Sequence, residues 1–432
     1  MKRPWTRSEK SLFISPLLFL SLAGGVWLWN TSQPPTIIVE GVDDVNHLQF
    51  SPDGKQLVGF FAASKGTTRF GKVFDVENRS NICDLEVPQP LALPTTSYPN
   101  GKRYFLPYAP YWSPDGTQIV SGYTDNLSGP SRVQTPDSGD AVDRPNKIDK
   151  FAIWDAKSGE INGDYLYAPI NEDSRSRNVR FSEDGKNLIG DGKPPTLFAA
   201  NTGKRLQVWK GKLEQPTLMK ANFDLGIVAE QSSSPQNYFW IVDSRTKRSI
   251  SKLKVGHLLG HSEWKDDILG TIVLDADKSE HLMLWSGSSR KSLPSPPVPK
   301  SGVIYDFHFN PVNKTLVYTM LDEPGISKHC ELVAWDYGRH RELWRQSVPT
   351  KALSPYYKWS PDGKWLSATT SSASDKRGEK MAYFYLYDHT GKLRLKRDVF
   401  STAHAWSPDS KKLAVTNKRG QDVEIEFISI AD

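Results

Sequence analysis

The phrase "KWSPDGKWL" at 358–366 recurs as "QFSPDGKQL" at 49–57, "YWSPDGTQI" at 111–119, "RFSEDGKNL" at 180–188 and "AWSPDSKKL" at 405–413. A chain that repeats one phrase along its length builds one local unit many times and packs each copy against its neighbours. The phrase itself is turn chemistry. Proline presets φ at the second turn position, aspartate caps nearby backbone, and glycine accepts positive φ. Alternating residues ending in an aromatic (Phe50, Trp112, Phe181, Trp359, Trp406) precede it, and an apolar alternation such as "KQLVGF" follows. The pattern predicts strand, tight turn, strand.

A second phrase follows each hairpin, as in "KVFDVENRS" (72–80), "AIWDAKSGE" (152–160), "TLFAANTGK" (196–204), "LVAWDYGRH" (332–340) and "FYLYDHTGK" (384–392). Each reads as an apolar third strand ending in a polar turn, with a fourth strand after it. Pairing the phrases gives eight units, with hairpin turns near 52, 114, 183, 224, 266, 311, 361 and 408. The fourth and fifth units are degenerate. The last has three strands, and "TIIVE" (36–40) stands before the first hairpin without a unit of its own. That strand is expected to complete the last unit and close a ring. The fold class expected is all-β: a β-propeller over 36–432 with eight four-stranded blades, or seven if a degenerate unit is misread.

The hairpin phrase with a later "WD…TGK" resembles the TolB-like and WD-repeat-like β-propellers, over essentially the whole chain after residue 35. True WD-repeats place Gly-His before the first strand of most units. Here Gly256-His257 and Gly260-His261 stand before a single unit, so the looser TolB-like kind fits better. The resemblance implies a fold and no particular activity.

The net charge of +6 is mild, and the first ten residues supply +3 of it, so no nucleic-acid surface is expected. Two cysteines, Cys83 and Cys330, fall in non-adjacent units and read as free buried thiols. At the N-terminus a basic head (1–11) precedes an apolar run, 12–29, and a linker, 30–35. The run reads as a transmembrane signal-anchor, with a cleaved signal peptide as its rival. Basic residues before it and none between Asn30 and Gly54 predict a single-pass membrane protein with its body on the extracytoplasmic, periplasmic side.

Two regions are candidates for function. The hairpin turns and the "TGK" turns share one face, and the long connections fall on the other. These include 88–108, 124–149, 232–237, 321–329 and 371–379. Loops of this kind suit protein contacts. The contact residues expected are Tyr98, Arg103, Tyr104 and Tyr108 in the first loop, with Arg132 and Arg144 in the second. The second region is the central channel, which residues two before each hairpin serine would line: Gln49, Tyr111, Arg180, His308, Lys358 and Ala405, with Glu263 in the fifth unit. Polar lining of a wet channel explains that set, and a small anionic ligand held by Arg180, His308 and Lys358 is the sharper alternative.

The chain contains no G-x-S-x-G nucleophile elbow and no H-E-x-x-H. "FAANTGKRLQVW" and "AWDYGRHRELW" echo the repeat of quinoprotein dehydrogenases, but in two units only. No cofactor and no metal are expected. The reading is a non-enzymatic, membrane-anchored platform for protein partners. The alternative is an enzyme or small-ligand binder at the channel, quinoprotein-like or hydrolase-like.

Overall fold

The computed structural model describes residues 36–63, 69–88, 106–134, 141–167, 178–191, 195–209, 216–222, 227–232, 238–243, 245–254, 257–274, 280–297, 303–321, 330–348, 355–371 and 382–430. They form eight antiparallel sheets, seven of them meanders of consecutive strands. The first blade is Val42–Phe50, Gln56–Ala63, Arg69–Asp75 and Ser80–Leu85. The degenerate fourth and fifth units are complete blades, so the count is eight and the seven-bladed alternative falls. The eighth blade takes Ala405–Trp406, Lys412–Arg419 and Asp422–Ser429 from the end of the chain. Its outer strand is Thr36–Val39, paired from Thr36↔Glu426 to Val39↔Val423.

Five of the eight hairpin turns are locked by the serine and aspartate of the repeated phrase. Ser51 Oγ accepts the Gln56 N–H at 2.9 Å and donates to Asp53 Oδ1 at 2.6 Å, while Asp53 Oδ1 accepts the Lys55 N–H at 3.0 Å. The same set recurs at Ser113/Asp115, Ser182/Asp184, Ser360/Asp362 and Ser407/Asp409. These serine hydroxyls, together with backbone donors, hold the turn carboxyls below the usual aspartate range. Proline has a second use. Pro52 packs on Gly116, Pro114 on Gly185 and Pro408 on Gly54, so successive hairpin turns touch around the ring.

The core lies between blades. Val58, Phe60 and Val73 of the first blade meet Trp112, Ile119 and Trp154 of the second. At the seam, Ile37, Val423, Ile425 and Phe427 meet Val45, Leu48, Phe50 and Leu57. The aromatic before the hairpin serine also bridges the gap: Trp112 Nε1 donates to Gln49 O at 3.2 Å, and Trp406 Nε1 to Lys358 O at 3.2 Å. Burial of these side chains, roughly 25 cal/mol per Å² of apolar surface, is the main force joining one blade to the next. Cys83 and Cys330 are buried and form no disulfide.

Two expectations require correction. The membrane-spanning helix expected over 12–29 lies outside the described residues, and among those described no helix is long and apolar enough to cross a membrane. The described residues are all-β and contain no such helix, so the helical anchor, membrane attachment through it and the placement that rested on it find no support in them. The second correction concerns 124–149. Much of that stretch is paired backbone where a loop was expected. Gln118–Gln134 pairs with Ala141–Asp155 over its whole length, out to Gln134↔Ala141, with one irregularity between Leu127 and Pro130. Alternating β-branched and polar residues such as "SRVQ" opposite "AVDR" favour that pairing.

Candidate functional site

A two-stranded arm therefore grows from the second and third strands of the second blade. Other blades end these strands after about seven residues, as at Thr315–Leu321 and Cys330–Asp336. Here they continue on the face opposite the tight turns. The register places Arg132 opposite Asp143 and Arg144 opposite Ser131, near the far end. At the root, Asp164 of the outer strand accepts hydrogen bonds from Tyr123 Oη, at 2.5 Å, and from Lys150 Nζ. Lys150 is only 4% exposed, so this carboxylate is the partner that its buried ammonium requires.

The other expected contact residues are distributed differently. Tyr98, Arg103 and Tyr104 lie outside the described residues. Tyr108 is part of the blade: it is half-buried, and its N–H donates to Gly122 O at 2.9 Å. The inner strand of this blade runs in two pieces, Leu106–Pro107 and Tyr111–Trp112, both paired to Gln118–Gln134.

The residues expected to line the channel occupy inner strands, and two of the cations among them, His308 and Lys358, already have protein partners. His308 Nε2 lies 3.3 Å from Asp306 Oδ2, and His308 Nδ1 lies 3.7 Å from Glu263 Oε2 on the neighbouring blade. Burial pushes the imidazole down, but the two carboxylates overcome it and raise its pKa to about 9. Lys358 donates to His404 O at 2.7 Å. Its stem faces open space, while the surrounding protein, which strips water from the ammonium, brings its pKa down to about 8. His404 is fully buried. Its Nδ1–H donates to Thr402 O at 3.0 Å, and burial with the nearby Lys358 charge lowers its pKa to about 3. Arg180 is exposed, Gln49 and Tyr111 are half-buried, and Ala405 is buried. An anion held by Arg180, His308 and Lys358 would have to approach a histidine already flanked by two carboxylates. No cluster suited to a metal ion occurs among the described residues.

No family model matches the chain, and no curated protein matches it. Solved structures do match. The Dos1 propeller aligns with a TM-score of 0.60 at 15% identity, covering 92% of this chain and 95% of that one. The C-terminal WD40 domain of Sif2 aligns at 0.56 and 15%, covering 92% and 99%. The dihydro-heme d1 dehydrogenase NirN in complex with DHE aligns at 0.53 and 13%, covering 85% and 73%. What they share with this chain is the β-propeller fold. At these identities the likeness shows the β-propeller architecture and nothing about activity.

The sequence reading missed the tight-turn face. Two grooves of about 470 Å³ each flank the hairpin turn of the sixth blade there. One lies between the sixth and seventh blades and is lined by Asn310, Lys314, Arg339, Trp344, Trp359 and His389. Its signal was present in "AWDYGRHRELW", whose basic residues and tryptophan supply much of the lining.

Proposed function

We propose that this propeller is a non-enzymatic interaction platform whose principal contact element is the arm of the second blade. The arm itself carries the reading. An isolated two-stranded ribbon is at best marginally stable in water, and among the described residues no further strand pairs with either edge beyond Thr124 and Asp149. Such an element gains most by lying against another protein, either side by side or as a template for strand addition. The clamp of Tyr123 and Lys150 on Asp164 supports this, because it fixes the direction in which the arm leaves the ring. The competing reading, chemistry or ligand binding in the channel, has less support: His308 and Lys358 are committed to protein partners.

The test replaces 125–148 by Asn-Gly and compares it with the intact chain, after circular dichroism has established that the ring still folds. Photo-crosslinking residues go at 132 and 144 on the arm, and at 186 on the turn face as a control. Defined adducts from the arm positions, and loss of the native assembly in the arm-less chain, support the platform. Adducts no more specific than those from the turn face would sink it.

A further inference from the structure

We propose that the arm of the second blade packs face to face with the arm of a second copy of this chain, the two ribbons running in opposite directions. The proposal rests on the platform reading and names its partner and its surface. Three features of the arm carry it.

The first is a one-sided pattern. The irregularity between Leu127 and Pro130 inserts two residues, Ser128 and Gly129, so the alternation of faces passes through it unchanged. Leu127, Val133, Val142 and Ile148, the large aliphatic residues of the arm, therefore all fall on one face. Asn126, Pro130, Arg132, Asp143, Pro145 and Lys147 fall on the other. Within the ring, the apolar face carries Ile119, Tyr123 and Trp154, which pack on the first blade. The matching strand of that blade, Gln56–Ala63, runs 8 residues from its hairpin turn, against 17 for Gln118–Gln134. The blade that covers this face inside the ring thus ends at the root of the arm.

The second is a pair of interrupted edges. Pro130 stands opposite Pro145 at the middle of the arm. Proline sits in a ladder where its missing N–H faces outward, so neither edge offers an added strand a donor at this level, and the rings stand in its way. Of the two ways an arm can dock, strand addition is blunted and the face is left.

The third is self-complementarity. From root to tip the apolar face reads Asp125 with Ile148, Leu127 with Asn146, Ser131 with Arg144, and Val133 with Val142. A two-fold axis across the ribbon at the level of Pro130 and Pro145 turns this series end for end. Ile148 then falls opposite Val142 of the other copy, and Asn146 opposite its Arg144. Charge selects the same direction. Asp125 and Asp149 outweigh Lys147 at the root, and Arg132 and Arg144 outweigh Asp143 at the tip. Opposed ribbons set acidic root against basic tip, whereas ribbons running the same way would set like against like. The paired length makes a face about 30 Å long and about 10 Å wide. Roughly 300 Å² per copy is well under the roughly 800 Å² of a stable interface, so the pair forms and parts with concentration.

The experiment uses the purified full chain. Sedimentation equilibrium should show monomer–dimer exchange, and Val133→Asp with Val142→Asp should weaken it by at least about tenfold with circular dichroism unchanged. Disulfide trapping tests the geometry. Ile148→Cys chains mixed with Val142→Cys chains should give a crosslinked dimer on oxidation, and neither variant alone should. Lys147→Cys mixed with Asp143→Cys, on the opposite face, should give none. A wild-type chain that stays monomeric up to its solubility limit overturns the proposal. So does equal association of the aspartate variant, or equal trapping by the opposite-face pair or by Val142→Cys alone. A monomeric chain leaves the platform reading standing, because that reading fails only if photo-crosslinkers on the arm give no defined adducts.

Discussion

Trp344 lies across Gly391. The tryptophan belongs to the outer strand of the sixth blade and the glycine to the last turn of the seventh. The indole N–H donates to His389 O at 3.0 Å, and a methyl group on Gly391 would stand 2.5 Å from the ring. The relationship recurs: Tyr165 covers Gly203 and the Asp84 carbonyl covers Gly159, at 2.1 and 2.2 Å by the same measure. All three glycines have positive φ. The equivalent turns of other blades carry Arg79, Lys247, Arg290 and His340 at φ between 55° and 56°. Glycine is thus required where the preceding blade covers the turn and is optional where it does not.

Gly203→Ala and Gly391→Ala are therefore expected to destabilise the ring by about 2–4 kcal/mol, through the left-handed backbone and the overlap together. Lys247→Gly should fall within about 1 kcal/mol of wild type, on the stabilising side. Urea unfolding of the three variants measures both. Similar losses in all three would remove the distinction between covered and open turns.

Asp164→Ala leaves the buried Lys150 ammonium without its carboxylate. A loss of about 3 kcal/mol is expected. Hydrogen exchange should localise the change to amides near 123, 150 and 164 and to the arm beyond them. Uniform acceleration around the ring would show that the clamp does not serve the arm root.

His308 gives a pH signature at alkaline pH. Its folded pKa, about 9, lies above the unfolded value of 6.5. Its contribution to stability is fully present below 6.5 and fades as pH rises through about 9. The gap in melting temperature between wild type and His308→Gln should be widest near pH 6 and close toward pH 10. A gap that does not change with pH would mean the imidazole carries no proton between Asp306 and Glu263.

Asp388 gives the opposite signature in acid. Burial raises its pKa, but hydrogen bonds from Thr390, Arg394 and the turn backbone take it down to about 2, against a usual 3.8. Its contribution is complete above 3.8 and is lost as pH falls through about 2. Arg394→Gln should therefore make acid unfolding begin at higher pH, read by circular dichroism between pH 5 and 2. An unchanged midpoint would show that Arg394, nearly half exposed, adds nothing at Asp388.

The ring was legible because the hairpin phrase states its own geometry: serine, proline, aspartate and glycine each have one local task. The degenerate units were legible from spacing, since a ring tolerates one poor turn when its neighbours are good. The arm was not, because its residues are as polar as a loop and only "SRVQ" opposite "AVDR" shows any alternation. The inner-strand positions were legible from strand alternation, but the sequence could not show that Asp306 and Glu263 would take up His308. The groove at Trp359 was invisible for a related reason. It depends on turns from two blades whose separation no local pattern records.

The seam strand has a mechanical consequence. Gly41 and Asp422, joined at 3.0 Å, are 381 residues apart, so this seam closes the longest loop in the chain and is expected to form last. Thr36–Val39 and Asp422–Ser429 run antiparallel, and the chain leaves both at the same end of the pair. Tension on the two termini would then peel the rungs one after another, beginning at Thr36, instead of straining them all together. A ring held together by eight blade interfaces would begin to open under a small pull at this one edge.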